Sequence, residues 1–119
     1  MSKYNEAFWQ ALDILFSSSK LVIDRPTGAH HPRFPEIIYP VDYGYLENTT
    51  SMDGHGIDVW RGTDASGMID AIIVTVDLMK KDSEIKILIG CTTEEKGIIM
   101  EFHNQGELMK GILIERQEK

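Results

Sequence analysis

The feature that most constrains the fold is a pair of β-type segments in the second half of the chain. Residues 68–79 form a long apolar run that is rich in Ile and Val, the β-branched side chains that favour strands. A polar turn follows at residues 80–83, and residues 84–89 are expected to return as the partner strand. The sequence therefore predicts a strand hairpin within a β-rich fold.

Shorter segments complete the predicted secondary structure. Further strands are expected at residues 20–24, 37–39, 57–61 and 108–115. An amphipathic helix is predicted at residues 5–17, with Phe8, Leu12 and Leu15 on its apolar stripe. A second helix should begin at the capping box that Thr92 and Glu95 form. The pattern predicts a mostly β fold with peripheral α-helices, a small barrel with an N-terminal and a C-terminal helix.

Composition limits the classes of partner. A chain of 119 residues is expected to form a single domain over residues 1–119. Its net charge of −7 argues against a nucleic-acid partner, because nucleic-acid binders of this size are usually basic. No stretch approaches the roughly 18 apolar residues of a membrane span, so no membrane partner is expected. One cysteine and no recognisable signal peptide favour a cytoplasmic protein.

The segment from Tyr39 to Trp60, with the sequence YPVDYGYLENTTSMDGHGIDVW, contains the first candidate site. Its two turn glycines, at positions 54 and 56, allow the chain to double back and bring Asp53 near Asp58. Two carboxylates on a tight turn, flanked by phenols, suit a hard divalent cation and its anionic ligand. The alternative interpretation is an ordinary acidic surface turn.

A second acidic group follows the predicted hairpin turn. If the strand begins near Asp82, alternation places Asp82, Glu84 and Lys86 on one face. Two carboxylates and one ammonium would then share a surface. The alternative is a solvated strand face with no function.

A third group is basic and comprises Lys20, Arg25, Arg33 and Lys86. Arginine offers a fork of donors that matches phosphate oxygens, and lysine offers a mobile point charge. Cleavage of a phosphoanhydride needs carboxylates that hold divalent metals and cationic side chains that bind phosphate oxygens, and this chain contains both kinds of residue. Spacing alone does not show that these groups meet in space.

The combined motifs resemble the signature of the soluble (family I) inorganic pyrophosphatases, from about Lys20 to Phe102. Residues 39–45, YPVDYGY, resemble the family's YPxNYGY, and residues 53–59, DGHGIDV, resemble its DGDPIDV. Lys20 and Arg33 are similar in position to a phosphate-binding lysine and the substrate arginine. The strand with Asp82 and Glu84 resembles the family's downstream acidic pair and the lysine that follows it.

The resemblance implies a five-stranded OB-like barrel that hydrolyses pyrophosphate to two phosphates with Mg²⁺, or alternatively Mn²⁺. Carried over residue by residue, it makes His55 and Asp58 catalytic. The implied metal ligands are Asp53, Asp58, Asp82 and Glu84. The implied substrate-binding residues are Lys20, Arg33, Tyr43 and Lys86. It also implies a homo-oligomer, in which Phe8, Trp9 and Phe16 would cover a neighbouring subunit.

Departures from the family pattern leave two other functions open. His55 stands where the family has an aspartate that accepts a proton from the nucleophilic water, and residues 102–104 lack the family's Tyr-Lys pair. The missing pair would open the pocket to another diphosphate. Loss of the aspartate would instead suit a pyrophosphatase-like protein that binds phosphate or diphosphate with weak or no turnover.

Overall fold

One mixed six-stranded sheet organises the fold. The computed structural model describes residues 3–117 and places one helix before the sheet and one between its last two strands. The elements are α1 (Lys3–Ser17), β1 (Leu21–Arg25), β2 (Asp42–Leu46), β3 (Ile57–Arg61), β4 (Ile69–Asp77), β5 (Asp82–Ile89), α2 (Thr93–Asn104) and β6 (Met109–Glu115). Neither helix within this range is long and apolar enough to cross a membrane.

The sheet is open, and its strand order is β1-β2-β3-β5-β4-β6. Neighbouring strands are antiparallel except for β3 and β5, which run parallel. The prediction of a mostly β fold with peripheral helices is confirmed, but the five-stranded OB-like barrel is wrong. Because β3 joins β5 in the middle of the sheet, β1 and β6 become opposite edges and do not pair.

The predicted hairpin is confirmed as β4 and β5. Their register begins with Asp77 opposite Asp82, so the turn occupies residues 78–81 and starts two residues earlier than expected. Lys81 adopts a φ of 58°, the left-handed conformation that tight turns require. The first two turn residues are apolar, which concealed them in the sequence.

The strand predicted at residues 37–39 is wrong. These residues lie in a loop that one bridge between His30 and Ile38 holds. The chain forms β2 just beyond Pro40 instead. Gly44 is required there because a Cβ at this position would collide with the carbonyl oxygen of Val22 on β1.

Apolar side chains cover both faces of the sheet. On one face, Trp9 and its neighbours on α1 pack against Val59 and Ile87. On the other, Ile99 of α2 packs with Trp60 and Leu88. Strand alternation therefore separates an α1 face from an α2 face.

Both predicted helices are present, although α1 is already helical at Lys3, two residues before its predicted start. Trp9 is buried, and Leu12, Leu15 and Phe16 pack against the same cluster, so the predicted apolar face of α1 is confirmed except at Phe8, which is 41% exposed. The capping box of α2 is present, because the Thr92 hydroxyl accepts from the Glu95 N–H and the Glu95 carboxylate accepts from the Thr92 N–H. Glu95 also accepts a bond from the backbone of Thr63, which ties α2 to the β3–β4 loop.

Candidate functional site

A buried lysine lies where β2, β3 and β5 meet on the α2 face. The parallel register of β3 with β5 sets Asp58 beside Lys86. The Lys86 ammonium donates to Asp58 Oδ2 at 2.7 Å and to Tyr43 Oη at 2.9 Å. A longer bond of 3.4 Å reaches Glu84 Oε1 on the same strand. These four residues, which we call the Lys86 cluster, were all candidates in the sequence.

The charged side chains of the Lys86 cluster are largely shielded from solvent. The side chains of Lys86, Glu84 and Asp58 are only 7%, 10% and 24% exposed. Burial by itself lowers the pKa of Lys86, but the contacts with Tyr43 and Asp58 more than offset it, so the pKa is raised and Lys86 stays cationic. Burial raises the pKa of Tyr43, which keeps its phenol neutral. A charged ammonium and a neutral phenol therefore lie beside two carboxylates.

The acidic turn joins this cluster through a serine. Ser51 Oγ donates to Asp53 Oδ1 at 2.8 Å and lies 3.3 Å from Glu84 Oε2. The turn forms because Gly54 takes a φ of 82° and the His55 N–H donates to Asp53 Oδ1 at 2.9 Å. Burial raises the pKa of Asp53, but the bonds from His55 and Ser51 outweigh it, so the pKa is lowered. Asp53 is thus anionic and beside Glu84, whereas the sequence placed it beside Asp58.

Four predicted site residues do not make contacts with the Lys86 cluster in the described part of the chain. Asp82 pairs in register with Asp77 at the hairpin end, and by strand rise it lies about 13 Å from Lys86. The imidazole of His55 is exposed, and only its backbone contacts Asp53. Lys20 and Arg33 are also exposed. Their predicted roles therefore rest on the resemblance.

The carboxylates fit a partial site for Mg²⁺. Among residues 3–117, no three side chains of His, Cys, Asp or Glu are grouped to hold a metal ion. Asp53 and Glu84, however, share one serine hydroxyl, and Mg²⁺ is usually held by one or two carboxylates together with waters and substrate phosphates. The oxygen donors of this pair fit such a cation, while Asp58 is engaged by Lys86.

A second group of polar residues surrounds the ring of Tyr39. The Arg25 guanidinium lies 5.2 Å from the ring centre and donates a hydrogen bond to Tyr39 Oη. The imidazole of His31 stacks on the same ring at 6.3 Å with an interplanar angle of 12°. The backbone N–H of Arg33 donates to His31 Nδ1 at 3.0 Å, whereas the Arg33 guanidinium lies 6.0 Å from the ring centre of Phe34. We call Arg25, His31, Arg33 and Tyr39 the Tyr39 cluster.

Positive charge accumulates in the Tyr39 cluster. Burial and the nearby cations of Arg25, Arg33 and Lys80 lower the pKa of His31, and only Glu36 opposes them. Lys80 belongs to the β4–β5 turn, and its charge acts on His31 from there. The sequence identified the two arginines as basic, but it missed His31 and Lys80, because their proximity depends on tertiary structure.

The two clusters are joined by aromatic rings. The ring centres of Tyr39 and Tyr43 are 5.2 Å apart, and Tyr43 contacts Lys86. Trp60 packs on Tyr43 and donates from Nε1 to His103 Nε2 at 3.0 Å. Burial lowers the pKa of His103 to about 3, so this histidine is neutral and serves the aromatic packing.

A groove of about 640 Å³ lies beside these clusters, between residues 36–40 and α2. Its lining includes the apolar side chains of Ile38 and Phe102 and the carboxylates of Glu36, Glu94 and Glu101. Three carboxylates without a lining cation disfavour an anionic ligand. The groove is therefore a poorer candidate for a phosphate site than the Lys86 and Tyr39 clusters.

Comparisons with known proteins give no independent support for a family. No protein-family model matches the chain. No curated protein matches its sequence.

Proposed function

We propose that this protein hydrolyses inorganic pyrophosphate to two phosphates, with Mg²⁺ as its cofactor and Mn²⁺ as the alternative metal. The observation that carries the proposal is the network in which Lys86 joins Tyr43, Asp58 and Glu84, with Asp53 attached through Ser51. A neutral phenol, a buried ammonium and several carboxylates are suited to a metal-bound diphosphate.

Each side chain has a distinct part in this proposal. When bound, Mg²⁺ would polarise the phosphoryl oxygens and lower the pKa of a coordinated water. Asp53 and Glu84 would hold the cation, and Lys86 with Tyr43 would donate to phosphoryl oxygens. Because Lys86 is already paired with Asp58, the ammonium is oriented before the substrate arrives. His55 remains the proposed proton acceptor, because it stands where the resembled family has the aspartate that accepts a proton from the nucleophilic water.

A second candidate function is binding of phosphate or diphosphate with weak or no turnover. One observation favours it: Lys86 lies between Asp58 and Glu84, so these carboxylates neutralise an ammonium in place of a metal. Another diphosphate as substrate is the third candidate, and only the missing Tyr-Lys pair favours it.

Phosphate release from pyrophosphate, measured over a series of Mg²⁺ and Mn²⁺ concentrations, separates these candidates. Release well above a metal-only blank supports hydrolysis. Folded protein that binds non-hydrolysable imidodiphosphate in calorimetry but releases no phosphate supports the binding protein. A panel of nucleoside and sugar diphosphates tests the third candidate, which a clear preference for pyrophosphate excludes.

A homo-oligomer in the cytoplasm stays a prediction. Trp9 is buried in the core, so it is not available to cover a neighbouring subunit, and Phe8 is the most exposed of the three aromatic residues considered. Sedimentation at micromolar concentration is the test. A species of 13.5 kDa alone would contradict the oligomer.

A further inference from the structure

The groove of about 640 Å³ between residues 36–40 and α2 combines apolar surface with acidic charge. Two of its apolar side chains, Ile38 and Ile98, are 52% and 41% exposed. Among residues 3–117, no ion pair involves any of its three glutamates, Glu36, Glu94 and Glu101. Covering the apolar surface is favourable, and unpaired carboxylates attract a cation. The groove therefore suits an occupant that is both apolar and basic.

The turn between β4 and β5, residues 78–81, has this composition. Leu78 and Met79 are apolar and are 58% and 72% exposed. Lys80 and Lys81 follow them, are also exposed, and are the only two adjacent basic residues in the chain. Neither lysine forms an ion pair with a carboxylate in the described part of the chain. The turn thus matches the groove in apolar character and in charge.

Hydrogen bonds hold the turn in a defined shape. The Asp77 carboxylate accepts the backbone N–H groups of Met79 and Lys80, each at 3.0 Å. The Leu78 N–H donates to the carbonyl oxygen of Leu108 at 2.7 Å, which ties the turn to the residues before β6. A segment that is already fixed loses little conformational entropy when it docks. The turn is therefore a preformed projection and not a loop that must first be ordered.

We propose that the groove of one molecule binds the β4–β5 turn of a second copy of this chain. Leu78 and Met79 cover the apolar lining, and the two lysines lie against the groove carboxylates. The contact is between unlike surfaces, so it closes as a dimer when two copies exchange their turns reciprocally.

A second copy is the favoured occupant because the complement of the groove is present in this same sequence. The net charge of −7 opposes self-association, so a local match of opposite charges is needed to overcome it. This interface differs from the aromatic surface of α1 that the resemblance implied, where Trp9 is buried. Association through the groove requires neither metal nor turnover, so it stands or falls independently of the proposed function.

The test is sedimentation equilibrium of the full chain from micromolar to millimolar concentration. The average mass should rise above the 13.5 kDa of the monomer. Met79→Ser should raise the dissociation constant at least about tenfold, because it removes an apolar side chain that docking buries. Met52→Ser is the matched control, since Met52 is 73% exposed but lies outside both surfaces, and it should change the constant less than about twofold.

A charge exchange tests the electrostatic part of the contact. Lys80→Glu and Glu101→Lys should each weaken association about fivefold, and both effects should shrink at high salt. The double variant should regain most of the loss, because it restores opposite charges across the interface. Lys3→Glu makes the same change at an exposed lysine on α1, and it should weaken association less than Lys80→Glu does. Circular dichroism of each variant checks that the fold is intact.

Heteronuclear NMR locates the contact. On dilution, the backbone amide signals of Met79 and Ile98 should shift, and that of Met52 should not. A wild type that remains at 13.5 kDa at millimolar concentration would overturn the proposal. Equal effects of Met79→Ser and Met52→Ser, or a double charge variant no better than its parents, would place any association on another surface and would also overturn it.

Discussion

Replacing Lys86 by methionine tests the electrostatic account of the site. Methionine fills a similar volume, but it leaves Asp58 and Glu84 without the ammonium that Asp58 meets at 2.7 Å. Removing one partner of a buried ion pair costs about 3–5 kcal/mol. Asp58 is 24% exposed and retains some water, so we expect a loss of about 2–3 kcal/mol in the free energy of unfolding.

Urea unfolding followed by Trp fluorescence measures this loss. With a typical slope of about 2 kcal/mol per molar urea, the midpoint should fall by about 1–1.5 M. The double variant Lys86→Met with Asp58→Asn should regain part of the loss, because it removes the unpaired charge. Mg²⁺ should stabilise the single variant more than the wild type if the freed carboxylates accept a cation.

Lys96→Met is the matched control. Lys96 also forms a close ion pair, at 2.6 Å, but its partner Glu115 is 60% exposed, so the expected cost is below about 1 kcal/mol. If Lys86→Met costs no more than Lys96→Met, the buried pair does not stabilise the fold as argued. A double variant less stable than the single one would refute the unpaired-charge explanation.

Three further variants follow from the site. Asp58→Ala should abolish metal-dependent phosphate release while circular dichroism shows an intact fold, and activity within about threefold of the wild type at saturating Mg²⁺ would contradict its role. His55→Asp should raise turnover by up to about 10²–10⁴-fold and tighten Mg²⁺ binding, whereas identical pH–rate profiles and metal affinities would remove any role for position 55. Because the pKa of Asp53 is lowered, its carboxylate stabilises the fold above the unfolded value near 3.9, and this contribution is lost as the pH falls through the lower folded value. Asp53→Asn should therefore flatten the stability profile below about pH 4 in urea titrations, and an unchanged acid limb would contradict the hydrogen bonds assigned to Asp53.

Local sequence signals predicted the elements whose stability is local. The strand at Ile57–Arg61 has the predicted bounds, and the Thr92 cap forms as the capping box requires. Residues 42–46 escaped prediction because Asp42 and Gly44 have low strand propensity, and only the close approach of β1 explains the glycine. Here tertiary structure overrides local preference.

The site was predictable in its residues but less so in its contacts. Alternation correctly placed Glu84 and Lys86 on one face, since this depends only on the period of a strand. The partnership of Lys86 with Asp58 depends on the parallel pairing of β3 with β5, which no local pattern encodes. Ser51 was missed because an isolated serine in a turn gives no sign of the glutamate it contacts 33 residues away.

The parallel pairing of β3 with β5 also divides the sheet into two antiparallel halves. One half is β1-β2-β3 and the other is β5-β4-β6, and three register pairs, beginning with Val59 and Ile87, join them. Asp58 and Lys86 lie on opposite sides of this seam and are 28 residues apart in the chain. Contacts between distant residues form late because the intervening chain must first be ordered. Neither half alone contains the Lys86 cluster, so the ion pair between Asp58 and Lys86 forms only where the two hydrogen-bonded halves meet. Cleavage of the chain between β3 and β4, followed by separation of the two pieces, would therefore remove this ion pair.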